Sequence, residues 1–490
     1  MHKIGFWLKQ NLFVWICGAG IMLWWLLCHL FRPTVPILID QFTPVYLPVV
    51  GILSLACLSI PGIVYLCSRA FHELRWQEQL QSAGIVLMLT TIVFRAPAYL
   101  RAQLIFFAFT AIAFLADKDR LWRKQPVFFY ACWIYVLWLS ISMLWTHHHE
   151  ESIRYFNRLV PLVSYSLCFA IISLSETNYH RLLTVFWRVV CIGCLLCVAS
   201  GIYESHRMGF AFSNFIQFHK TTIGSFFPFF ILYGWSGTPH PSFNVLWIMA
   251  GMSCSFYLAD KQYISRFELL CGIMLMLLIV ICTQSRIGYV MWFIIAFCGI
   301  IYSLRNYKLA LSAVLLFLAV GGYIFARVHT DSFRNLYTDP AREQLFQIAR
   351  DYLRADPWVG SGLGGMTYEY IESVIGYEFK SWWPQYQDAE TMYPHNQFLG
   401  DWMQSGIMGL IVLIGLIGCG FYEAIKSRSF VGIAYMISLF FFMMIEMPLH
   451  YLGGTTVIAF FLCFIFSHHD RQAIGTGADT PLHEPAMRTK

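Results

Sequence analysis

Charge is what this sequence has least of. Of its 490 residues, 12% are Asp, Glu, Lys or Arg and 58% are hydrophobic. A soluble globular chain carries about 25% charged residues, so this one cannot clothe a water-facing surface of its size. Lipid is the solvent that fits. A cleavage site is missing too. The apolar run at 11–31 is longer than the roughly 7–15 residues of a signal-peptide core, and no small-residue site follows it. It reads as a first membrane span, with Lys3 and Lys9 holding its start in the cytoplasm. No internal repeat is visible, which argues against a transporter built from paired halves. Cysteine is not scarce, at 15 residues, but the thiols lie in apolar runs. Cys191, Cys194 and Cys197 have the spacing of a metal motif without polar company and read as buried apolar thiols.

What is present is a series of apolar segments joined by short charged links. They fall at 11–31, 44–67, 82–97, 99–115, 126–145, 158–175, 182–202, 220–236, 242–258, 266–283, 286–304, 308–326, 396–421, 429–446 and 452–467. The fold class expected is all-α: a polytopic membrane protein of about 12–14 transmembrane helices with one large periplasmic loop. It divides into a transmembrane bundle (1–327), the loop (328–394), C-terminal transmembrane helices (395–467) and a disordered cytoplasmic tail (468–490). The basic links at 117–125, 305–308 and 426–429 read as cytoplasmic. Counting outward from 305–308 puts the loop and Arg286 on the outer side. Counting inward from the N-terminus gives the opposite parity, so one segment does not span. The candidates are 82–97, which holds Arg95 and ends on Pro97, and the short 242–258.

The loop has structure of its own. Asp339 can cap a helix that starts at Pro340. Leu345, Ile348, Ala349 and Tyr352 repeat at helical spacing, and Pro357 stops the run. This predicts an amphipathic helix lying on the membrane surface, followed by a glycine-rich turn. Acids outnumber bases across 328–394, so if an arginine binds an anion there it does so as a placed residue, whose planar fork suits phosphate, and not through a diffuse field.

Individual residues carry alternatives. Arg286, in "TQSRIG", stands between two apolar runs; it faces a wet cavity or snorkels. Arg342 opens the loop helix and is a ligand contact or a solvated surface residue. His395 sits at the mouth of the 396–421 segment, where an imidazole can take a proton from a hydroxyl or simply bond to backbone. Lys220 is a further phosphate contact or a helix-end lysine, and Asp388 and Glu390 can orient His395 or hold a cation. Arg188 reads as snorkelling, Glu446 and His450 as a pair within the bundle, and His147–His149 with Glu150 and Glu151 as an interfacial loop or, less favoured, a metal site.

"HNQFLGDWMQSGIMG" has the form His-Asn, nine residues, Gly-x-x-Gly, through His395, Asn396, Gly406 and Gly409. With "TQSRIG" before it and "AREQLFQIARDYLRADPWVGSGLGGM" between, in which Phe346 stands where tryptophan is usual, the stretch from about 280 to 420 resembles the O-antigen ligase family. The resemblance implies a metal-independent, inverting glycosyltransferase of the bacterial inner membrane, with its site facing the periplasm. The donor is an undecaprenyl-diphosphate-linked glycan and the acceptor lipid A–core or another glycan; no cofactor and no nucleic acid are involved. Residue by residue, Arg286 and Arg342 bind the diphosphate and His395 activates the acceptor hydroxyl. Gly406 and Gly409 let a neighbouring helix pack close below the histidine. A polymerase using the same donor and a protein O-oligosaccharyltransferase share these roles; a lipid-linked sugar transporter does not.

Overall fold

A computed structural model describes residues 48–94, 96–115, 125–207, 241–283, 286–303, 340–366 and 394–469. Among them every regular element is helical. In chain order these are α1 (Pro48–Leu66), the short α2 (Arg69–His72), α3 (Trp76–Ile92), α4 (Ala96–Leu115), α5 (Val127–Ser142), α6 (His149–Ile171) and α7 (Glu176–Arg207). There follow α8 (Pro241–Asp260), α9 (Arg266–Thr283), α10 (Arg286–Ser303), α11 (Pro340–Ala355), α12 (Gln397–Lys426), α13 (Phe430–Met443), a 3₁₀ turn (Pro448–His450) and α14 (Leu452–His469). The protein is the all-α, polytopic membrane protein that its composition implies. In hydrocarbon a backbone must satisfy its own polar groups, and helices do so within each segment.

The apolar residues are distributed as lipid requires. On α4, Leu104, Ile105, Ile112 and Leu115 face outward, and on α12 so do Met408, Ile411 and Ile414. In water such stripes would aggregate; in a bilayer they are the surface. Inside, Phe106 of α4, Tyr165 and Phe169 of α6 and Phe460 of α14 pack with ring centroids 5.4 to 6.0 Å apart, a spacing that favours edge-on aromatic contact. Cys191, Cys194 and Cys197 are buried in this interior, as expected of apolar thiols.

Side-chain ties fix which helix ends lie together. At one end Tyr65 donates to Asn178, which donates to Glu78 at 2.9 Å. There too the Val127 N–H meets Glu423 at 2.7 Å, and Tyr302 reaches Asp260 and stacks on Phe430. At the other end Ser152 donates to the Leu363 carbonyl, and Arg158 to that of His450. The three basic links all attach to helix ends of the first group, as a common cytoplasmic side requires.

This arrangement corrects the search for a non-spanning segment. Both candidates run from end to end: α3 covers 82–92 and α8 covers 242–258. α7 finishes and α8 begins at the His395 end, since Tyr257, near the close of α8, bonds to His180, near the start of α7. The expected segment between them, 220–236, lies outside the described residues. So do the expected spans 11–31 and 308–326 and the tail from 470. α6 begins at His149, earlier than the expected 158, because its first three turns are polar and carry Glu151, Arg154 and Arg158.

The loop helix α11 forms over the predicted residues but not with the predicted neighbour. Leu345, Ile348, Ala349 and Leu353 are buried with Met366, Met403 and Met447. Its apolar face is covered by the start of α12 and by the α13–α14 connector, so it is docked on protein and not on lipid headgroups.

Candidate active site

The site is built where α12 begins. Asn396 caps the helix: its Oδ1 accepts from the Leu399 N–H at 3.0 Å, and its Nδ2 donates to the Met444 carbonyl at 3.0 Å. One side chain thus starts the helix and ties it to the connector that follows α13. His395, immediately before the cap, has φ +46°, a left-handed backbone that a non-glycine residue adopts only when its surroundings hold it there. The bend sets its imidazole Nδ1 3.2 Å from Glu446 Oε2. The Glu446 side chain is 2% exposed and that of His395 17%. With Nδ1 held by a buried carboxylate, a donated Nδ1–H leaves Nε2 as the ring nitrogen that can accept a proton.

Beneath this pair lies a second polar layer. Asp401, one turn into α12, accepts from Gln397 Nε2 at 2.8 Å and from the Tyr135 hydroxyl at 2.7 Å, with His450 Nε2 at 3.5 Å. The Gln397 carbonyl oxygen accepts from the Leu449 N–H at 3.0 Å, and Gln404 lies against the His450 ring at 3.3 Å. Burial pushes the His450 pKa down, against the pull of Asp401, whose bond and charge favour the protonated ring. His450 is therefore a neutral, interior imidazole. The Asp401 carboxylate is tolerated inside the bundle because hydroxyl and amide donors meet it.

The glycine-rich turn closes the site from above. α12 is broken at Ser405 (φ −130°, ψ 23°) and Gly406 (φ 65°, ψ −167°). The break frees backbone groups, and the turn uses them: Ile407 N–H donates to the Pro357 carbonyl at 3.1 Å and Ser361 N–H to the Met403 carbonyl at 3.0 Å. Trp402 Nε1 also donates to Pro357 at 2.8 Å. A Cβ on Gly406 would lie 1.9 Å from the Trp358 carbonyl oxygen, so only glycine fits. This corrects the expected role of the Gly-x-x-Gly pair. Gly406 receives a loop and not a helix, and at Gly409 an added Cβ would meet Ser405 of the same helix at 1.9 Å.

The expected residues are distributed as follows. Arg286 is the first residue of α10, at the His395 end, because Ser303 closes that helix at the other. Arg342 lies in the first turn of α11, one turn before Leu345 in the cluster that holds Met447. Backbone alone is described for both. Lys220, Asp388 and Glu390 lie outside the described residues. Glu446 and His450 do not pair with each other: the first meets His395 and the second Asp401. Arg188 does not snorkel; its guanidinium grips buried Glu268 through two bonds of 3.0 and 3.2 Å. Glu151 binds Arg154 and Arg158, and no group of three potential metal ligands occurs among the described residues. Sequence reasoning had Glu446 but not its role. Its one signal was a carboxylate inside an apolar run, which in a membrane needs a partner.

The model of the O-antigen ligase family matches residues 271–414, from within α9 to within α12, and takes in Arg286, Arg342, the glycine-rich turn and His395. A search of curated proteins returns no match. Residues 271–414 thus carry an O-antigen ligase domain, which supports a membrane glycosyltransferase-like function in O-antigen and polysaccharide assembly.

Proposed function

We propose that the protein transfers a glycan from an undecaprenyl-diphosphate carrier to a hydroxyl acceptor at the periplasmic face of the inner membrane, with His395 as general base. The observation that carries this reading is the His395–Glu446 pair, an imidazole held by a buried carboxylate at 3.2 Å at the bundle end opposite the basic links. The acceptor oxygen attacks the anomeric carbon while its proton passes to His395 Nε2. The anomeric C–O bond to the diphosphate breaks, and its electron pair leaves with the lipid diphosphate. Attack opposite the leaving group inverts the anomeric centre. Glu446 keeps the ring in the tautomer that accepts at Nε2 and stabilises the imidazolium that forms. The leaving group needs charge neutralisation more than protonation, and Arg286 and Arg342, carried on backbone at the same end, supply it. No divalent metal is then required, so transfer persists in EDTA.

The acceptor we favour is lipid A–core, as in O-antigen ligation, because the His-Asn and Gly-x-x-Gly pattern follows that of ligases. Reconstitution of the purified chain with undecaprenyl-diphosphate glycan tests it directly. Product that forms only when lipid A–core is added supports ligation. Chain growth on the donor alone makes the protein a polymerase, and transfer only to a protein Ser or Thr makes it a protein O-oligosaccharyltransferase. Lipid-linked glycan moved across the bilayer without any new glycosidic bond would make it a transporter and end the reading.

A further inference from the structure

Two turns into α6, Arg158 reaches the connector that carries Glu446 and His450. Its Nη1 donates to the His450 carbonyl at 3.1 Å, and its guanidinium carbon stands 4.5 Å from the centre of the Tyr155 ring. Tyr155 in turn packs edge-on against the His450 ring, with centroids 5.1 Å apart. Glu151 lies 3.9 Å from Nη2, beyond hydrogen-bond range, and gives its closer contact, 3.1 Å, to Arg154. Arg158 therefore spends one edge of its fork of donors, while the rest has no hydrogen-bond partner among the described residues. The side chain is 32% exposed, so it is not sealed in the core.

Position gives this its meaning. Glu446 and His450 are four residues apart, a stretch that spans at most about 14 Å. The first holds His395 and the second holds Arg158. A guanidinium with unspent donors is thus fixed within one connector's length of the candidate base, at the end of the bundle where Arg286 and Arg342 also lie. The ring beneath it and the carbonyl beside it hold it in place before any ligand arrives, so little ordering cost remains to be met on binding.

We propose that Arg158 is a further anion-binding residue of the site and that its free edge grips a phosphoryl oxygen of the lipid diphosphate. The proposal rests on the reading above, in that the donor is a lipid diphosphate. The plain alternative is a staple that only holds the connector to α6.

The test is binding of farnesyl diphosphate to the purified full-length chain, with farnesyl monophosphate alongside and thermal melting of each variant. Arg158→Gln is expected to weaken farnesyl diphosphate about tenfold or more, a loss of about 1.4 kcal/mol, and to narrow the preference for diphosphate over monophosphate. Arg158→Lys, which keeps the charge and one donor for the His450 carbonyl, should melt with the wild type yet bind more weakly by about threefold or more. Wild-type affinity in both variants overturns the inference, as does wild-type affinity in Arg158→Lys if Arg158→Gln does not fold. A weakening equal for diphosphate and monophosphate also overturns it, since a diffuse charge effect would explain that. No binding of farnesyl diphosphate by the wild type would instead overturn the donor reading itself.

Discussion

The two ends of this bundle use the same polar residue types to different effect. At the end joined by basic links, polar groups close on one another. Asn178 receives Tyr65 and gives to Glu78 and Ser82, while Glu78 also takes the N–H and hydroxyl of Ser175. Glu423 caps the first N–H of α5. The left-handed residues there, Gln262 and Arg428, follow helix C-termini, where that conformation is ordinary. At the His395 end the left-handed residue precedes a helix start, the long helix is broken, and a guanidinium spends only part of its donors. Closed networks hold helices together. Open ones, over-determined from behind by Glu446, Asn396 and His450, hold chemistry in place.

That contrast can be broken or sharpened by substitution. The largest effect belongs to His395→Ala, which should lower the rate of glycan transfer in proteoliposomes by about 10³-fold with insertion and melting unchanged. Glu446→Gln should lower it by about 10²-fold, and Glu446→Asp should recover part of that, since what is lost is orientation and charge. Gly406→Ala tests the break in α12: the clash with Trp358 should cost about 1–3 kcal/mol and release the turn from α12, visible as faster proteolysis between 357 and 366. Gly415→Ala in the same helix has open space at its Cβ and should be neutral or slightly stabilising. At the closed end, Asn178→Ala should cost about 1–3 kcal/mol of stability while turnover per folded molecule stays at the wild-type rate.

The smallest effect is one of pH. The folded His450 is held below its ordinary pKa by burial, so the unfolded chain takes up a proton first as pH falls. Its contribution to stability is complete above the ordinary imidazole range and shrinks on acidification through it. Melting curves between pH 7 and 5 should therefore fall less steeply for His450→Gln than for the wild type.

Much of this was readable in the sequence because lipid imposes a simple rule: apolar runs become helices, and charged links mark one side. The helix at 340–355 and the start of α12 just after His395 followed from helix-start residues and periodicity. Three things were not readable. That α3 and α8 both run from end to end needed the helix ends, since hydropathy alone does not tell a span from an apolar stretch that fails to cross. Gly406 looked like a helix-packing residue because Gly-x-x-Gly serves that purpose in membranes, and nothing local shows that Trp358, 48 residues earlier, supplies the contacting backbone. The His395–Glu446 pair joins residues 51 apart; a carboxylate in an apolar run signals that a partner exists but not which one.

The central claim is that His395, aligned by Glu446, removes the proton from the acceptor hydroxyl. The measurement that meets it most directly is the single-turnover rate of glycan transfer across a range of pH, for the wild type, Glu446→Gln and His395→Ala. The account predicts an acid limb in the wild type that moves in Glu446→Gln and is missing from whatever rate His395→Ala retains. The same limb at full height in His395→Ala would contradict it.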